Sequence, residues 1–373
     1  MVIDYNKKTD YSKFRPIGYP VKHKKKIPFQ PTLSLDLEYR SMVREIRCLD
    51  SILDGFVLRS DDYLELVNDA YADNIHWSTK IEGNELSLEE VKRLTTKFSN
   101  GEFIETKQGP VQEIINHLYS FFLEGAFDLP WSLDTVCRMH GALLKDVNPK
   151  VVPGQIRDVD VSVVGYDGTE YFIACPPNSI VPELESLIEW LNNSPYDEIT
   201  TATLFFHEFE SIHPFKDGNG RTGRTLFQVL LQEMGLKNCN LCKFEEKMLR
   251  RSSIYYDLLA FTDSTGIYSQ LVKYFTESLL EAYQEAVELF GKKDRLKDMD
   301  ENSRLIVRRS KEVDFFNLHQ ATSWINGLTE QSVRMRLEDL VETGILEKRG
   351  KTKGLVYAFK DPFRDIREKV RDS

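Results

Sequence analysis

Apolar residues recur at spacings of three and four along most of this chain, a pattern that predicts a mainly helical fold. Such stripes predict one long helix over about residues 34–58 and another over 268–290. The pattern stays helical throughout residues 88–144, where the apolar stripe at 111–122 is most simply explained as core. The hydrophobic pattern therefore predicts a helical bundle.

A pattern typical of β-strands interrupts the helices once. Residues 159–164 alternate toward a strand, residues 171–173 form a return strand, and Asp167-Gly168 between them is a strong hairpin turn signal. We therefore expect a β-hairpin over about residues 159–174. Its role is either that of a structural appendage or that of an open edge that holds an extended peptide by strand addition.

A dense polar stretch separates two strongly apolar helices. Residues 201–212 are predicted to form the first helix, and the second ends at the stop signal Gly235. The stretch between them, HPFKDGNGRTGR, occupies residues 213–224. Pro214 cannot continue a helix, and the DGNG run at 217–220 consists of turn formers. The sequence thus predicts a helix, a tight loop and a second helix.

The residue types of this loop suit a phosphate site. A glycine-rich loop that opens a helix aims backbone N–H groups and the positive end of the helix dipole at one point. Arg221 and Arg224 lie in the first turn of the second helix, where cations are normally unfavourable, and a polyphosphate would reverse that penalty. Asp217 is a candidate magnesium ligand, because magnesium prefers one or two carboxylates together with phosphate oxygens. His213 is a candidate general base for an attacking hydroxyl.

Residues 213–224 resemble the active-site motif of Fic-domain proteins, HPFx(D/E)GNGRxxR, and match it at every fixed position. The resemblance implies a protein adenylyltransferase, which transfers AMP from ATP to a Ser, Thr or Tyr hydroxyl of a target protein or of the enzyme itself. It also implies that His213 is the general base, that Asp217 holds Mg²⁺ and that Phe215 anchors the loop. Doc-like relatives, which transfer phosphate instead, carry lysine where this chain has Gly220.

The resemblance further implies which residues contact the nucleotide. Those within the motif are Gly218, Asn219, Gly220, Arg221, Thr222, Gly223 and Arg224. Those outside it are Val163, Val164 and Gly165 in the predicted hairpin, and Tyr255 and Tyr256 near the adenine. The two tyrosines are equally well explained as part of a helix core. Relatives often have asparagine at the position of Asp263, so this sequence does not support the contact expected there.

A further helix is predicted between the start signal Asp61 and the stop signal Gly83. Glu82 then lies in the last turn, where the helix dipole disfavours a carboxylate, so pairing with Arg224 would relieve two misplaced charges. Residues 78–83, STKIEG, resemble the inhibitory motif (S/T)xxxE(G/N) of the same family. The resemblance implies that Glu82 binds Arg224, displaces the γ-phosphate of ATP and restrains the enzyme.

The C-terminal part of the chain resembles a winged helix-turn-helix domain. The predicted elements are helices near 303–310, 317–325 and 329–341, followed by strands within 344–350 and 355–359. Domains of this kind commonly bind DNA. The residues that would then contact DNA are Ser332, Arg334, Arg336, Lys351 and Lys353. The domain is only weakly basic, so DNA binding and protein docking or dimerisation are equally supported.

Composition narrows the class of protein. A chain of 373 residues with 41% hydrophobic and 29% charged residues is typical of a globular protein of two or three domains. The sequence shows no apolar run that would span a membrane and no signal peptide, and its five cysteines argue against a disulfide scaffold. These features predict a cytoplasmic protein. The net charge of −10 argues against a non-specific nucleic-acid coat.

The sequence thus predicts a mainly α-helical, Fic-type bundle with a winged-helix tail. The predicted parts are an N-terminal region with the inhibitory helix (1–100), a catalytic core with its hairpin flap (101–290) and the winged-helix domain (301–373). Residues 1–33, rich in lysine and proline, are expected to pack loosely on the surface. Three alternatives remain open: hydrolysis of AMP from modified proteins, use of another nucleoside triphosphate, and a nucleotide-sensing DNA-binding regulator. A homodimer is also compatible with the sequence.

Overall fold

The computed structural model describes residues 9–31, 33–104, 106, 109–122, 127–164, 168–325, 327–351 and 354–363. It is mainly helical, as the hydrophobic pattern predicts. The helices of the bundle are α1 (Leu37–Gly55), α2 (Ser60–Lys80), α3 (Leu88–Ser99), α4 (Pro110–Ser120), α5 (Leu133–Leu144), α6 (Pro177–Asn192), α7 (Glu198–Ile212), α8 (Asn219–Glu233), α9 (Phe244–Leu249), α10 (Ser252–Thr265) and α11 (Ser269–Lys293). A small sheet contains β1 (Val21–Lys22), β2 (Ser162–Val164) and β3 (Glu170–Ile173). None of the described helices is both long and apolar enough to cross a membrane.

Helix α7 lies within the bundle and carries buried residues on almost every face. Phe205, Phe206 and Phe209 have no exposed surface. A helix that is apolar all round needs neighbours on all sides, and α7 packs against α6, α8 and α11. The end of α7, and with it the start of the predicted loop, is therefore held from several directions.

The region 88–144, predicted to be helical throughout, is divided into three helices. Ser87 and Ser132 begin α3 and α5 with capping boxes, in which the serine side chain accepts from the backbone three residues later. Between them, Gly109 adopts a φ of +108° and Pro110 opens α4, where the missing proline N–H costs nothing. The helical pattern of this region is confirmed by these three helices, and apolar periodicity alone does not mark the breaks between them.

The N-terminal residues 9–31 pack into the bundle, which corrects the expectation of a loose arm. Tyr11 and Phe29 are buried. Within the basic run, Lys26 has an acidic partner, since its Nζ lies 2.7 Å from Glu208 Oε1, whereas Lys22, Lys24 and Lys25 are exposed. Residues 9–31 therefore form a strap across the bundle, held by a few buried aromatic side chains within a mostly polar stretch.

The predicted hairpin is present as β2 and β3, and the strap adds a third strand to it. Strand β1 pairs in parallel with β3, with Val21 opposite Phe172, so the strand order is β1-β3-β2. The strand β3 is therefore central, and among the described strands β2 forms the edge of the hairpin. Gly168 of the predicted turn has a φ of +80°, and Asp167 lies outside the described residues.

The C-terminal elements share a hydrophobic cluster that is separate from that of the bundle. These elements are α12 (Glu301–Ser310), α13 (Leu318–Trp324), α14 (Glu330–Glu342), β4 (Leu346–Arg349) and β5 (Val356–Phe359). Thr329 caps α14 by accepting from the N–H of Ser332. Arg336 donates to Ser332 Oγ at 2.8 Å, so its guanidinium is already engaged within the helix. Lys353 lies outside the described residues. The division into three domains, the winged-helix assignment and a DNA-binding or docking role stay predictions.

Candidate active site

The loop between α7 and α8 is closed by its own side chains. After Ile212, His213 takes a left-handed conformation with φ 53°, and its N–H donates to Phe209 O at 2.9 Å. The Asn219 side chain then bonds the backbone of Phe215 twice, accepting from its N–H at 2.9 Å and donating to its carbonyl at 2.8 Å. These bonds fix the shape of the loop.

Phe215 lies in the core and is held there by His140 of α5. The Phe215 side chain has no exposed surface, and its ring stacks on that of His140 with centroids 3.7 Å apart. His140 Nδ1 accepts from the N–H of Gly154 at 2.8 Å, so its Nε2 is the donor to the carbonyl of Asp217 at 3.0 Å. Burial lowers the pKa of His140 to about 4, in keeping with a neutral ring. No local sequence pattern indicates this contact, because the two rings lie 75 residues apart in the chain.

His213 presents Nε2 as a hydrogen-bond acceptor. Its Nδ1 lies 3.2 Å from the carbonyl oxygen of Glu210 and must donate there, since a carbonyl oxygen only accepts. Burial lowers the pKa of His213 to about 4, so the ring is neutral at physiological pH and Nε2 carries the lone pair. The side chain is thus a base whose acceptor nitrogen is fixed in advance.

Arg157 joins the active-site loop to the flap, a role that the sequence analysis missed. Its guanidinium is buried and donates to the carbonyls of Ile212, His213, Val159 and Cys175 at 3.2, 2.7, 2.6 and 2.5 Å, respectively. Burial lowers the pKa of Arg157. A buried cation that satisfies four carbonyls fixes the end of α7 relative to the residues that flank β2 and β3.

Replacing Arg157 with methionine is expected to lower the free energy of unfolding by about 3 kcal/mol, because four carbonyls, of which those of Ile212 and Cys175 are buried, lose a donor at about 1 kcal/mol each. Methionine retains part of the packing of the arginine stem. Denaturant unfolding of the purified protein measures the change. Arg138→Met is the matched control, since Arg138 is 54% exposed, and it is expected to stay within about 0.5 kcal/mol of the native chain. Equal losses in the two variants would contradict the role of Arg157.

Asp217 and Arg221 form the polar mouth of the loop. Asp217 Oδ1 accepts from the N–H of Gly218 at 2.7 Å and from Arg221 Nη2 at 2.5 Å, while Oδ2 accepts from Asn148 Nδ2 at 3.1 Å. The Asp217 side chain is 37% exposed, whereas Arg221 is buried and also binds Glu113 of α4 through Nη1. Burial opposes the charge of Arg221, but the Glu113 and Asp217 carboxylates raise its pKa. The accessible carboxylate of Asp217 therefore lies directly beside the start of α8.

Arg224 is enclosed by residues at and beyond the end of α2. Its side chain is 3% exposed and donates to Ser78 Oγ at 2.9 Å, to Ser78 O at 2.8 Å and to Glu82 Oε1 at 2.8 Å. Burial opposes the charge of Arg224, but the carboxylate of Glu82 raises its pKa. The two residues that the charge pattern singled out are thus in direct contact.

Glu82 lies in a turn past the end of α2, not in its last turn as predicted. The helix ends at Lys80, and Gly83 follows in the turn with a φ of +95°. A Cβ at Gly220 would lie 2.1 Å from Glu82 Oε1. The carboxylate therefore covers the first turn of α8, and a glycine at position 220 leaves the room that it needs.

Two further acids, Glu210 and Glu245, lie close to the residues that surround Arg224. Glu245 Oε2 is 3.8 Å from Arg224 Nε, and Glu210 Oε1 would lie 2.4 Å from a Cβ at Gly223. Both oxygens lack a hydrogen-bond partner in the part of the chain that the structure describes. Burial raises the pKa of Glu210 to about 8 and that of Glu245 to about 7. Glu210 is therefore mainly protonated at neutral pH, which leaves Glu82 as the principal counter-charge of Arg224.

The predicted nucleotide contacts outside the loop differ in exposure. Tyr255 is buried, whereas Tyr256 is 48% exposed and meets the Tyr255 ring edge-on, with centroids 5.1 Å apart. Burial raises the pKa of Tyr255. Val163 and Val164 lie on β2 with exposed side chains, and Gly165 lies outside the described residues. Tyr256 and the two valines therefore have surface that a ligand can reach, and Tyr255 belongs to the core.

The Thr222 side chain and Gly223 lie within the packing of α8 against α7, and their assignment as nucleotide contacts stays a prediction. Thr222 has no exposed surface, and a Cβ at Gly223 would clash with the Glu210 side chain of α7. Asp263 is also buried and accepts from Ser211 Oγ at 2.7 Å. The side chains of Thr222 and Asp263, and Gly223, are therefore part of the packing beneath the loop.

Residues 130–231, which include the loop, match the Fic/DOC family. A probable protein adenylyltransferase of Aquifex aeolicus is 38% identical over 89 residues, which are 23% of this chain and 26% of that protein. The protein adenylyltransferase Fic of Drosophila willistoni is 25% identical over 225 residues, which are 58% of this chain and 42% of that protein. The matched regions thus span less than half the length of these relatives.

A solved structure is similar over most of the chain. The crystal structure of a Fic family protein from Desulfovibrio desulfuricans G20 aligns with a TM-score of 0.58 and 21% identity, over 89% of this chain and 98% of that one. At this level of identity the likeness establishes the fold of the chain and carries no conclusion about its activity.

Proposed function

Because residues 130–231 are a Fic/DOC-family domain within a chain of that fold, we propose that this protein is a protein adenylyltransferase. It transfers AMP from ATP to a Ser, Thr or Tyr hydroxyl of a target protein, and also to a hydroxyl of its own chain. The observation that carries the proposal is the placement of His213, a neutral imidazole with Nε2 as acceptor, beside the glycine-rich start of α8. The relatives named as protein adenylyltransferases support the same activity.

The start of α8 supplies the phosphate site in this proposal. The first N–H groups of an α-helix have no acceptor within the helix, and together with the helix dipole they favour an anion. Arg221 and Arg224 add two positive charges beside them. Asp217 fits a magnesium ion that is bound mainly by phosphate oxygens and water, since its carboxylate is partly exposed at the mouth. When bound, that ion supplies charge neutralisation to the phosphates.

The transfer requires one proton to move and one P–O bond to break. The target hydroxyl gives its proton to His213 Nε2 while its oxygen attacks the α-phosphorus. The bond to the β-phosphate breaks, and pyrophosphate leaves with the electron pair. Arg221 and Arg224 stabilise the charge that develops on the leaving group. The Glu210 carbonyl, which holds His213 Nδ1–H, stabilises the imidazolium that forms.

In this proposal Glu82 restrains the reaction. Its carboxylate is bound to Arg224 and lies over Gly220, where phosphate would approach the helix. A γ-phosphate needs the same guanidinium, and two anions at one cation repel each other. Release of Glu82 would therefore free both the charge of Arg224 and the space above Gly220.

The flap offers a place for the target segment. Since β1 already pairs with β3, an extended target would add to the edge of β2, whose Val163 and Val164 are exposed. Backbone hydrogen bonds would then position the target, and its hydroxyl would be presented to His213. The C-terminal elements are a second candidate for docking a target.

ATP labelled at the α-phosphate and ATP labelled at the γ-phosphate, supplied in parallel with Mg²⁺, test the proposed reaction. We expect label on protein from the α position alone, most strongly in a Glu82→Gly variant, with the Glu82→Gly/His213→Ala double variant as the blank. Label from the γ position alone would indicate phosphate transfer and contradict the proposal. Release of AMP from a preloaded target, without any transfer, would indicate the hydrolase. No label in any variant would favour the nucleotide-sensing regulator.

A further inference from the structure

A second contact ties the inhibitory turn to the phosphate site. Asn84, two residues after Glu82, donates from Nδ2 to Glu113 Oε2 at 2.6 Å. The other oxygen of that carboxylate, Glu113 Oε1, accepts from Arg221 Nη1. The same turn is thus linked to both arginines. Glu82 binds Arg224 directly, whereas Asn84 binds Glu113, which in turn binds Arg221.

Asn84 fixes the turn from both sides. Its N–H donates to Thr79 O at 3.0 Å, its Oδ1 accepts from the N–H of Leu86 at 3.0 Å, and its Nδ2 also reaches Pro110 O at 3.2 Å. The bond to Glu113 is the strongest of the set, because a hydrogen bond to a carboxylate is charge-assisted and Glu113 is buried. The turn is thereby anchored to α2 on one side and to α4 on the other.

We propose that Asn84 is a positioning residue that holds Glu82 over Gly220 and so sets the strength of the restraint. This inference rests on the proposed function. With Asn84 anchored to Glu113, the turn is already ordered when Glu82 meets Arg224. Without the anchor, the ion pair must also order the turn, and the restrained state becomes less populated. Asn84 contacts no reacting group of the proposed transfer step, and its link to Arg221 runs through Glu113, which can keep its own bond to Arg221 when Asn84 is replaced.

A double-mutant cycle on automodification from α-labelled ATP tests the inference. In the otherwise native chain, Asn84→Ala is expected to raise the initial rate about tenfold, which is the effect of losing one charge-assisted hydrogen bond. In the Glu82→Gly background the same substitution is expected to change the rate by less than about twofold, because no carboxylate remains to be positioned. Asn84→Asp is a second test of the same bond. Aspartate keeps an oxygen that can accept from the N–H of Leu86, but its carboxylate repels that of Glu113 instead of donating to it.

Ser87→Ala is the matched control for local loosening. Ser87 lies three residues beyond Asn84 and caps α3 by accepting from the N–H of Glu90. Its substitution is expected to leave the automodification rate unchanged in both backgrounds. Lower rates for Asn84→Ala in both backgrounds would mean a structural role, and equal increases in both would mean an effect on transfer itself. Either result would overturn the inference.

The inference and the proposed function can fail separately. If the Glu82→Gly variant transfers label but neither Asn84→Ala nor Asn84→Asp raises the automodification rate of the otherwise native chain, only the role of Asn84 is overturned. Absence of transfer from the Glu82→Gly variant would instead overturn the proposed activity on which the role depends.

Discussion

Replacing His213 with alanine is expected to lower the rate of AMP transfer by about 10²- to 10⁴-fold, the usual contribution of a positioned general base. Burial lowers the pKa of His213 to about 4 and the Glu210 carbonyl holds Nδ1, so Nε2 is ready to accept a proton before the target binds. Alanine removes that acceptor and leaves the phosphate site in place. The measurement is transfer of label from α-labelled ATP in the Glu82→Gly background, where the parent rate is expected to be highest.

Nucleotide binding separates the loss of the base from the loss of the site. The affinity of His213→Ala for ATP with Mg²⁺ is expected to stay within about threefold of its parent, because the proposed role of His213 is proton transfer alone. His319→Ala, at an exposed histidine of α13, is the matched control and is expected to keep the full rate. A drop in both affinity and rate would mean that alanine disturbs the loop.

The pH profile of the parent supplies an independent check on the state of His213. A general base acts in its neutral form, and a base with a pKa of about 4 is neutral throughout physiological pH. As the pH falls from about 8 to about 6, His213 is therefore expected to cause no loss of rate. A loss of rate centred near the ordinary histidine pKa of 6.5 would contradict a neutral imidazole with a lowered pKa.

Replacing Glu82 with glycine is expected to raise the transfer rate by about 10- to 10²-fold. The Glu82 side chain is 28% exposed, so its bond to Arg224 corresponds to about 1.5–3 kcal/mol, as for other hydrogen bonds between charged groups, and each 1.4 kcal/mol is tenfold in a population. Arg224 is 3% exposed and binds Glu82 Oε1 at 2.8 Å, so the native chain is expected to favour the restrained state strongly. Initial rates of label transfer at saturating ATP and Mg²⁺ measure the difference.

The fold is expected to tolerate this substitution. Arg224 keeps its bonds to Ser78 and retains Glu245 at 3.8 Å, so the loss of Glu82 does not leave the guanidinium without partners. Glu85→Gly is the matched control, because Glu85 is an exposed acid three residues later in the same segment. Its transfer rate is expected to equal that of the native chain, which would show that a glycine in this segment does not by itself activate the enzyme. A Glu82→Gly rate no higher than the native rate would rule out the restraint.

The sequence by itself determined the features that depend on neighbouring residues. Residues 213–224 contain their own helix breaker, turn formers and charges, so the helix–loop–helix form and its suitability for phosphate follow from local chemistry. Thr329 likewise caps α14 by local chemistry, because a threonine just before a helix accepts from an N–H of its first turn. The pairing of Glu82 with Arg224 can also be predicted from the sequence, since each charge is unfavourable at its own helix end.

Only the tertiary structure decided which distant residues complete the site. Arg157, His140 and Glu113 bind the loop or its arginine across 56, 77 and 108 residues of sequence, and none stands in a local pattern that indicates its partner. The strap at residues 9–31 was missed because a few aromatic residues among lysines have no periodicity. The physical reason is that burial sets these roles. A guanidinium that satisfies four carbonyls and an imidazole with a pKa of about 4 both arise from desolvation by elements far away in the chain.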